Sequence, residues 1–188
     1  MTLSLAHWHR QVPEFTGRRV WVKPCLMQSS LLFAGEARIA ELVRAYLAAE
    51  YRWEQGGEWL NLSIGDDAPE LRQCYPDARH FGLLSAWDPY SIQRPQTVNR
   101  SADDALHAAL EASDCSFRPA FSSAANRSWR EPSWLVADMP VDRFDALSRS
   151  HGQLASLYWP AHCVVRMRVD ARQPRADESH HAVDWLKD

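Results

Sequence analysis

Apolar and polar positions recur along this chain with two different periods, and the order of those periods outlines a fold. From Gly35 onward Ile39, Leu42, Val43, Tyr46 and Leu47 fall at i, i+3, i+4, i+7 and i+8, one face of an amphipathic helix. The period then shortens to two. Tyr51-Arg52-Trp53 alternates, Gly56-Gly57 makes a turn, and Trp59, Leu60, Leu62 and Ile64 read as the returning strand of a β-hairpin. Gly65-Asp66-Asp67 ends that strand. Asp67 and Glu70 have the spacing of a capping box and Pro69 suits a first turn, so a short helix is predicted to about Tyr75, stopped by Pro76.

The stretch Phe81 to Trp87 is almost uninterruptedly apolar, as expected of a strand covered on both faces. It closes on Asp88-Pro89-Tyr90-Ser91, which turns the chain and leaves an acid and a hydroxyl at the strand's exit. A second helix follows, with Val98, Ala102, Ala105, Leu106, Ala109 and Leu110 as its buried face and Asn99 as its N-cap. Asp103 and Asp104 fall in its first turns, where carboxylates suit the helix dipole. Cys115 to Phe121 and Ser133 to Met139 are strands around a polar loop, Ser122 to Arg130. A third helix, Val141 to Ser150, has Phe144 and Leu147 as core contacts and Gly152 as terminator. Leu154 to Trp159 and Cys163 to Val169 form a hairpin through Pro160-Ala161-His162.

Hairpins thus alternate with single helices. That pattern predicts a single α+β domain, a mainly antiparallel sheet with about four helices packed on it, rather than a doubly wound parallel fold. Residues 1–34 are expected to be an N-terminal extension packed on the main body, with Arg19 to Val22 as a short strand. The domain itself spans 35–170. Residues 171–188 are expected to be a loose polar tail in which Trp185-Leu186 offers a docking point.

The length of 188 residues suits one domain, and 46% hydrophobic content supplies one sizeable core. A net charge of -3 argues against a general nucleic-acid binder, which needs excess positive charge. No run approaches the ~18 apolar residues that a membrane span requires. Met1 to Arg10 has two histidines and no apolar stretch, so a signal peptide is not expected. Cys25, Cys74, Cys115 and Cys163 are scattered without a Cys-x-x-Cys pair, which fits reduced thiols in a cytoplasmic protein.

An ordered set of short segments then points to a family. Tyr46 and Tyr51, Leu62-Ser63-Ile64-Gly65, Ser85-Ala86-Trp87-Asp88-Pro89-Tyr90-Ser91, Asn99-Arg100, Trp129-Arg130-Glu131-Pro132-Ser133 and His151-Gly152-Gln153 occur in this sequence. Together they resemble DUF3293, a bacterial family of unknown function, over roughly Tyr46 to Val169. The resemblance implies a small intracellular bacterial protein and supplies no activity. Two positions depart from the family pattern. Asp88 stands where the family usually carries Asn, and Leu154 where it usually carries Asn after the Gly-Gln pair.

The candidate chemistry lies in Asp88, Ser91, Asn99, Arg100, Glu131, Ser133 and Gln153, most of them beside apolar strands or at a helix start. If the strand ends converge, these residues make one pocket with two carboxylates, a guanidinium and several amides and hydroxyls. Paired carboxylates in unlike surroundings divide into acid and base, and Arg100 near a helix start suits an anionic group. Each residue also has a plain structural role. Asn99 caps, Asp88-Pro89 turns the chain, Glu131 pairs with a neighbouring Arg, and Ser133 satisfies backbone.

His7 with His9, and His180 with His181, lack a carboxylate or Cys at metal-site spacing, so no metal and no cofactor are expected. His151 and His162 suit a helix-end cation and a turn. Trp87, Trp134 and Trp159 have apolar neighbours and suit the core, whereas Trp129 and Trp185 sit among polar residues. No Gly-rich phosphate loop, nucleophile elbow or HExxH motif occurs. Three functions remain, in this order: binding of a small polar or anionic ligand at the strand ends, docking of a protein partner through Trp8, Trp21 and Trp185, and acid–base catalysis by Asp88 and Glu131.

Overall fold

Thirteen of the chain's segments take regular structure in a computed structural model that describes residues 24–175 and 180–188, with side-chain surroundings from residue 35 onward. In chain order these are α1 (Pro24–Leu47), β1 (Glu50–Gln55), β2 (Glu58–Leu62), α2 (Pro69–Cys74) and β3 (His80–Leu84). A single 3-10 turn (Pro89–Ser91) precedes α3 (Gln96–Glu111), β4 (Ser116–Ser123), β5 (Arg130–Ala137) and α4 (Val141–Ser150). The chain ends on β6 (Ala155–Pro160), β7 (Met167–Val169) and β8 (Val183–Trp185). The eight strands form one sheet in the order β2-β1-β4-β5-β3-β6-β7-β8, antiparallel throughout except for β7 and β8. The architecture is α+β in a single domain.

Helices cover both faces of this sheet, and the side chains divide accordingly. On one face Val43 of α1 and Leu71 of α2 pack with Trp53, Phe81, Leu83, Leu135 and Trp159. On the other, Leu106 and Leu110 of α3 and Phe144 of α4 pack with Leu84, Val136 and Tyr158. Neighbours such as Leu83 and Leu84 go to opposite cores because strand side chains alternate. The continuous apolar run of the β3 segment has its cause there: β3 is central, flanked by β5 and β6, and buried on both sides. Gly82 sits at the closest approach of α4, where an added Cβ would collide with the Phe144 ring.

Several sequence expectations need correction. The first helix does not open at Gly35 but runs back to Pro24. Asp67 makes no capping box; Ala68 is the N-cap of α2 without a side-chain hydrogen bond, although Pro69 does occupy the first turn. The second helix opens at Gln96 behind Pro95, so Asn99 lies inside it rather than capping it. That rotation leaves Val98 44% exposed and buries Asn99. Asp103 is not in the first turn, and its Oδ1 accepts a hydrogen bond from Trp134 Nε1 at 3.0 Å.

β4 continues to Ser123 and β5 starts at Arg130, which shortens the polar loop between them. The tail is not loose where it is described. β8 pairs parallel with β7, Trp185 packs on the first core, and Arg166 binds Asp184 through Nε (2.9 Å) and a terminal nitrogen (2.6 Å). Trp8, Trp21, His7, His9 and the strand expected at Arg19 to Val22 lie outside the described residues. Among the described residues no helix is long and apolar enough to cross a membrane.

Candidate functional site

The α1-facing side of the sheet is apolar through its middle and becomes polar at one end. Along β5 the side chains on that face run Ala137, Leu135, Ser133, Glu131; along β3 they run Phe81, Leu83 and then Ser85. Register brings the polar ends side by side, with Tyr51 opposite Ser122 and Ser122 opposite Glu131. Helix α1 roofs them with Leu42, Tyr46 and, toward solvent, Arg38. The space enclosed is about 310 Å³, within the range that holds small ligands.

The remaining wall is the turn after β3. Asp88, Tyr90 and Ser91 all take left-handed backbone (φ 41°, 55° and 54°), a conformation that costs side-chain-bearing residues energy and must be held from outside. The restraints are identifiable. Asp88 N–H donates to Asn99 Oδ1 (3.1 Å), while Asp88 Oδ1 accepts from Asn99 Nδ2 (2.7 Å) and from Arg94 N–H (2.9 Å). Tyr90 N–H donates to the Gly152 carbonyl (2.8 Å), and Gln153 Nε2 donates to the Trp87 carbonyl (2.8 Å). Ser91 Oγ is hydrogen-bonded to the Tyr46 hydroxyl. Gly152, itself at φ +65°, comes so close that a Cβ there would lie 2.8 Å from Pro89 Cβ.

Electrostatics single out one group. Burial and, to a smaller extent, the negative charge of Asp88 together push the Glu131 carboxyl up to about 7. Glu131 therefore titrates near neutrality. Burial also raises the Tyr46 and Tyr51 hydroxyls above their ordinary value, so both remain neutral donors. Tyr51 donates to the Tyr46 carbonyl at 2.9 Å.

Of the residues singled out from sequence, Asp88, Ser91, Glu131, Ser133 and Gln153 line this cavity. Asn99 stands behind Asp88 and fixes its carboxylate. Arg100 does not line it. One residue on from Asn99 is a rotation of about 100° around the helix, so with Asn99 turned inward Arg100 is exposed on the outside of α3. The guanidinium at the cavity belongs instead to Arg38, which pairs with Glu41 at 2.8 Å. Sequence reasoning did not assign Arg38, Tyr46, Tyr51, Ser85, Ser122 or Trp129 to the site. Ser122 was detectable only once β4 is known to reach Ser123, because that extension sets it opposite Glu131.

Other candidate groups are elsewhere. Among the described residues no cluster of three or more His, Cys, Asp or Glu could hold a metal ion. His180 and His181 stack on each other with ring centroids 4.7 Å apart. His151 does end α4, but burial lowers its pKa and opposes the cation expected there.

Residues 84–155 match the family model DUF3293, a protein family of unknown function. The DUF3293 match is narrower than the span suggested by the sequence motifs, Tyr46 to Val169. It contains the turn at Asp88, Glu131, Ser133 and Gln153, and it leaves out the cavity's α1 and β1 residues, Arg38, Tyr46 and Tyr51. No curated protein and no solved structure matches the chain.

Proposed function

We propose that the cavity binds a small polar ligand whose positive or hydrogen-bond-donating end lies between Asp88 and Glu131. The observation that carries this reading is the sharing of one cavity by two carboxylates while the cation among the lining residues, Arg38, is already paired with Glu41. Ser85, Ser91 and Ser133 add hydroxyls, while Leu42, Leu83 and Leu157 give the opposite end an apolar surface. A ligand with a cationic head and a short apolar body satisfies both ends. An anionic ligand, which the sequence also suggested, would face two like charges without help from Arg100. The free thiols of Cys74, Cys115 and Cys163 support a reducing, cytoplasmic setting.

A second reading, acid–base catalysis, is favoured by Glu131 alone. A carboxyl that titrates near neutrality can both take and return a proton at working pH. Docking of a protein through the tail has less support, because Trp185 is packed on the core.

Thermal unfolding of the full chain at pH 8 tests the binding reading, because a ligand held only by the folded state raises the melting temperature. Hexylammonium should raise it at millimolar concentration, hexanoate should not, and Glu131→Gln should abolish the hexylammonium shift. An equal shift from hexanoate, or none from hexylammonium, overturns the assignment.

A further inference from the structure

We propose that the opposite face of the sheet carries a second binding site, formed around Trp59, Phe121, Arg130 and Trp87, for a planar aromatic ring bearing a carboxylate. The core under α3 and α4 is built on β3, β5 and β6. The sheet continues past it through β4, β1 and β2. There Phe121 of β4 and Trp59 of β2 meet edge to face with ring centroids 4.9 Å apart, and Trp59 remains 41% exposed. The hollow beside them is about 490 Å³, wide enough for a fused bicyclic ring, with Pro119 and Pro132 at its floor and Trp87 and Gln96 at its margin.

Charge identifies the occupant. The Arg130 guanidinium lies 3.7 Å from the centre of the Phe121 ring and 5.6 Å from that of Trp59. Among the described residues it has no carboxylate partner. A guanidinium held over a ring face keeps its planar fork of N–H donors for a partner, and that fork fits the two oxygens of a carboxylate. Trp87 adds apolar ring surface to the margin of the hollow. A planar cation without a carboxylate partner among the described residues, beside an exposed ring wall, is complementary to a flat anionic arene. The sheet lies between this site and the acidic cavity, with Ser133 alone among the lining residues bordering both, and nothing that identifies the occupant here rests on what that cavity binds.

Calorimetric titration of the full chain with 2-naphthoate tests the site, alongside 1H–15N spectra of the indole N–H groups. The Trp87 signal is assigned from Trp87→Phe. The expected result is binding of 2-naphthoate that moves the Trp87 and Trp59 indole signals. Arg130→Gln and Trp59→Ala should each weaken it by about tenfold or more, and neutral 2-naphthylmethanol should bind correspondingly less well. Both variants change exposed side chains, and undisturbed signals from the other tryptophans report that they fold. Arg130→Lys, which keeps the charge and loses the planar fork, should fall between wild type and Arg130→Gln. The proposal is overturned if 2-naphthoate does not bind at ~5 mM. It is equally overturned if Arg130→Gln binds as wild type does, or if the two indole signals stay in place.

Discussion

The two faces of the sheet solve the same problem differently. Under α3 and α4 the packing is closed: Gly82 lets the Phe144 ring reach the backbone of β3, and Tyr158 meets that ring with centroids 4.8 Å apart. Under α1 the apolar packing stops short and leaves a cavity with two carboxylates in it. One strand feeds both sides. Arg130 and Glu131, then Ser133 and Trp134, are consecutive in β5, yet strand alternation sends the cation to the aromatic face and the acid to the cavity. A sheet one residue thick thus holds these adjacent opposite charges on separate faces.

That contrast can be broken most directly in the closed face. Phe144→Ala removes a fully buried ring whose space α4 cannot refill, and should cost about 3–5 kcal/mol of unfolding free energy in urea denaturation. Leu42→Ala on the α1 side enlarges a space that already exists, and should cost about 2 kcal/mol. Equal losses would mean that the cavity side is packed as tightly as the other.

The next effect is electrostatic. A carboxyl raised from 4.5 to about 7 binds its proton more tightly when folded, so Glu131 stabilises the fold below about pH 4.5 and loses that contribution as pH rises to about 7. The difference corresponds to roughly 3 kcal/mol at 1.36 kcal/mol per unit. Glu131→Gln has no proton to lose. It should therefore be more stable than wild type at pH 8 by up to about that amount and similar to it near pH 4. Parallel stability–pH curves for the two proteins would remove Glu131 from the account.

The smallest effect sharpens the origin of the shift. Asn at position 88 keeps an oxygen for Arg94 N–H and Asn99 Nδ2 but carries no charge. Asp88→Asn should lower the Glu131 pKa, followed by carboxyl 13C shifts, by less than burial raises it. An unchanged value would leave burial as the whole cause.

Much of the fold was legible because it rests on local periodicity. The α4 boundaries, Gly152 as terminator and the double burial of β3 all follow from residues close in sequence. The misplaced features depend on distant partners. Asn99 has the chemistry of an N-cap, and only its bonds to Asp88 eleven residues earlier show why it is buried inside a helix. β8 is three residues long and pairs with a strand already formed, so its own pattern is too short to announce it. The gathering of Asp88, Glu131 and Gln153 was inferable from their positions at strand ends. Arg38 and Tyr46 were not, because nothing in an amphipathic helix says which of its turns will roof a hollow.

Three successive residues, His151, Gly152 and Gln153, finish α4, prop the Asp88 turn and supply an amide to the cavity wall. Chain length is consequently locked there. Adding or deleting one residue between α4 and β6 would take the Gly152 carbonyl from Tyr90 and put a side chain against Pro89, deforming the pocket while both neighbouring elements keep their own hydrogen bonds. Natural length variation in proteins of this fold should accordingly fall in the β4–β5 loop or beyond β7, and spare this junction.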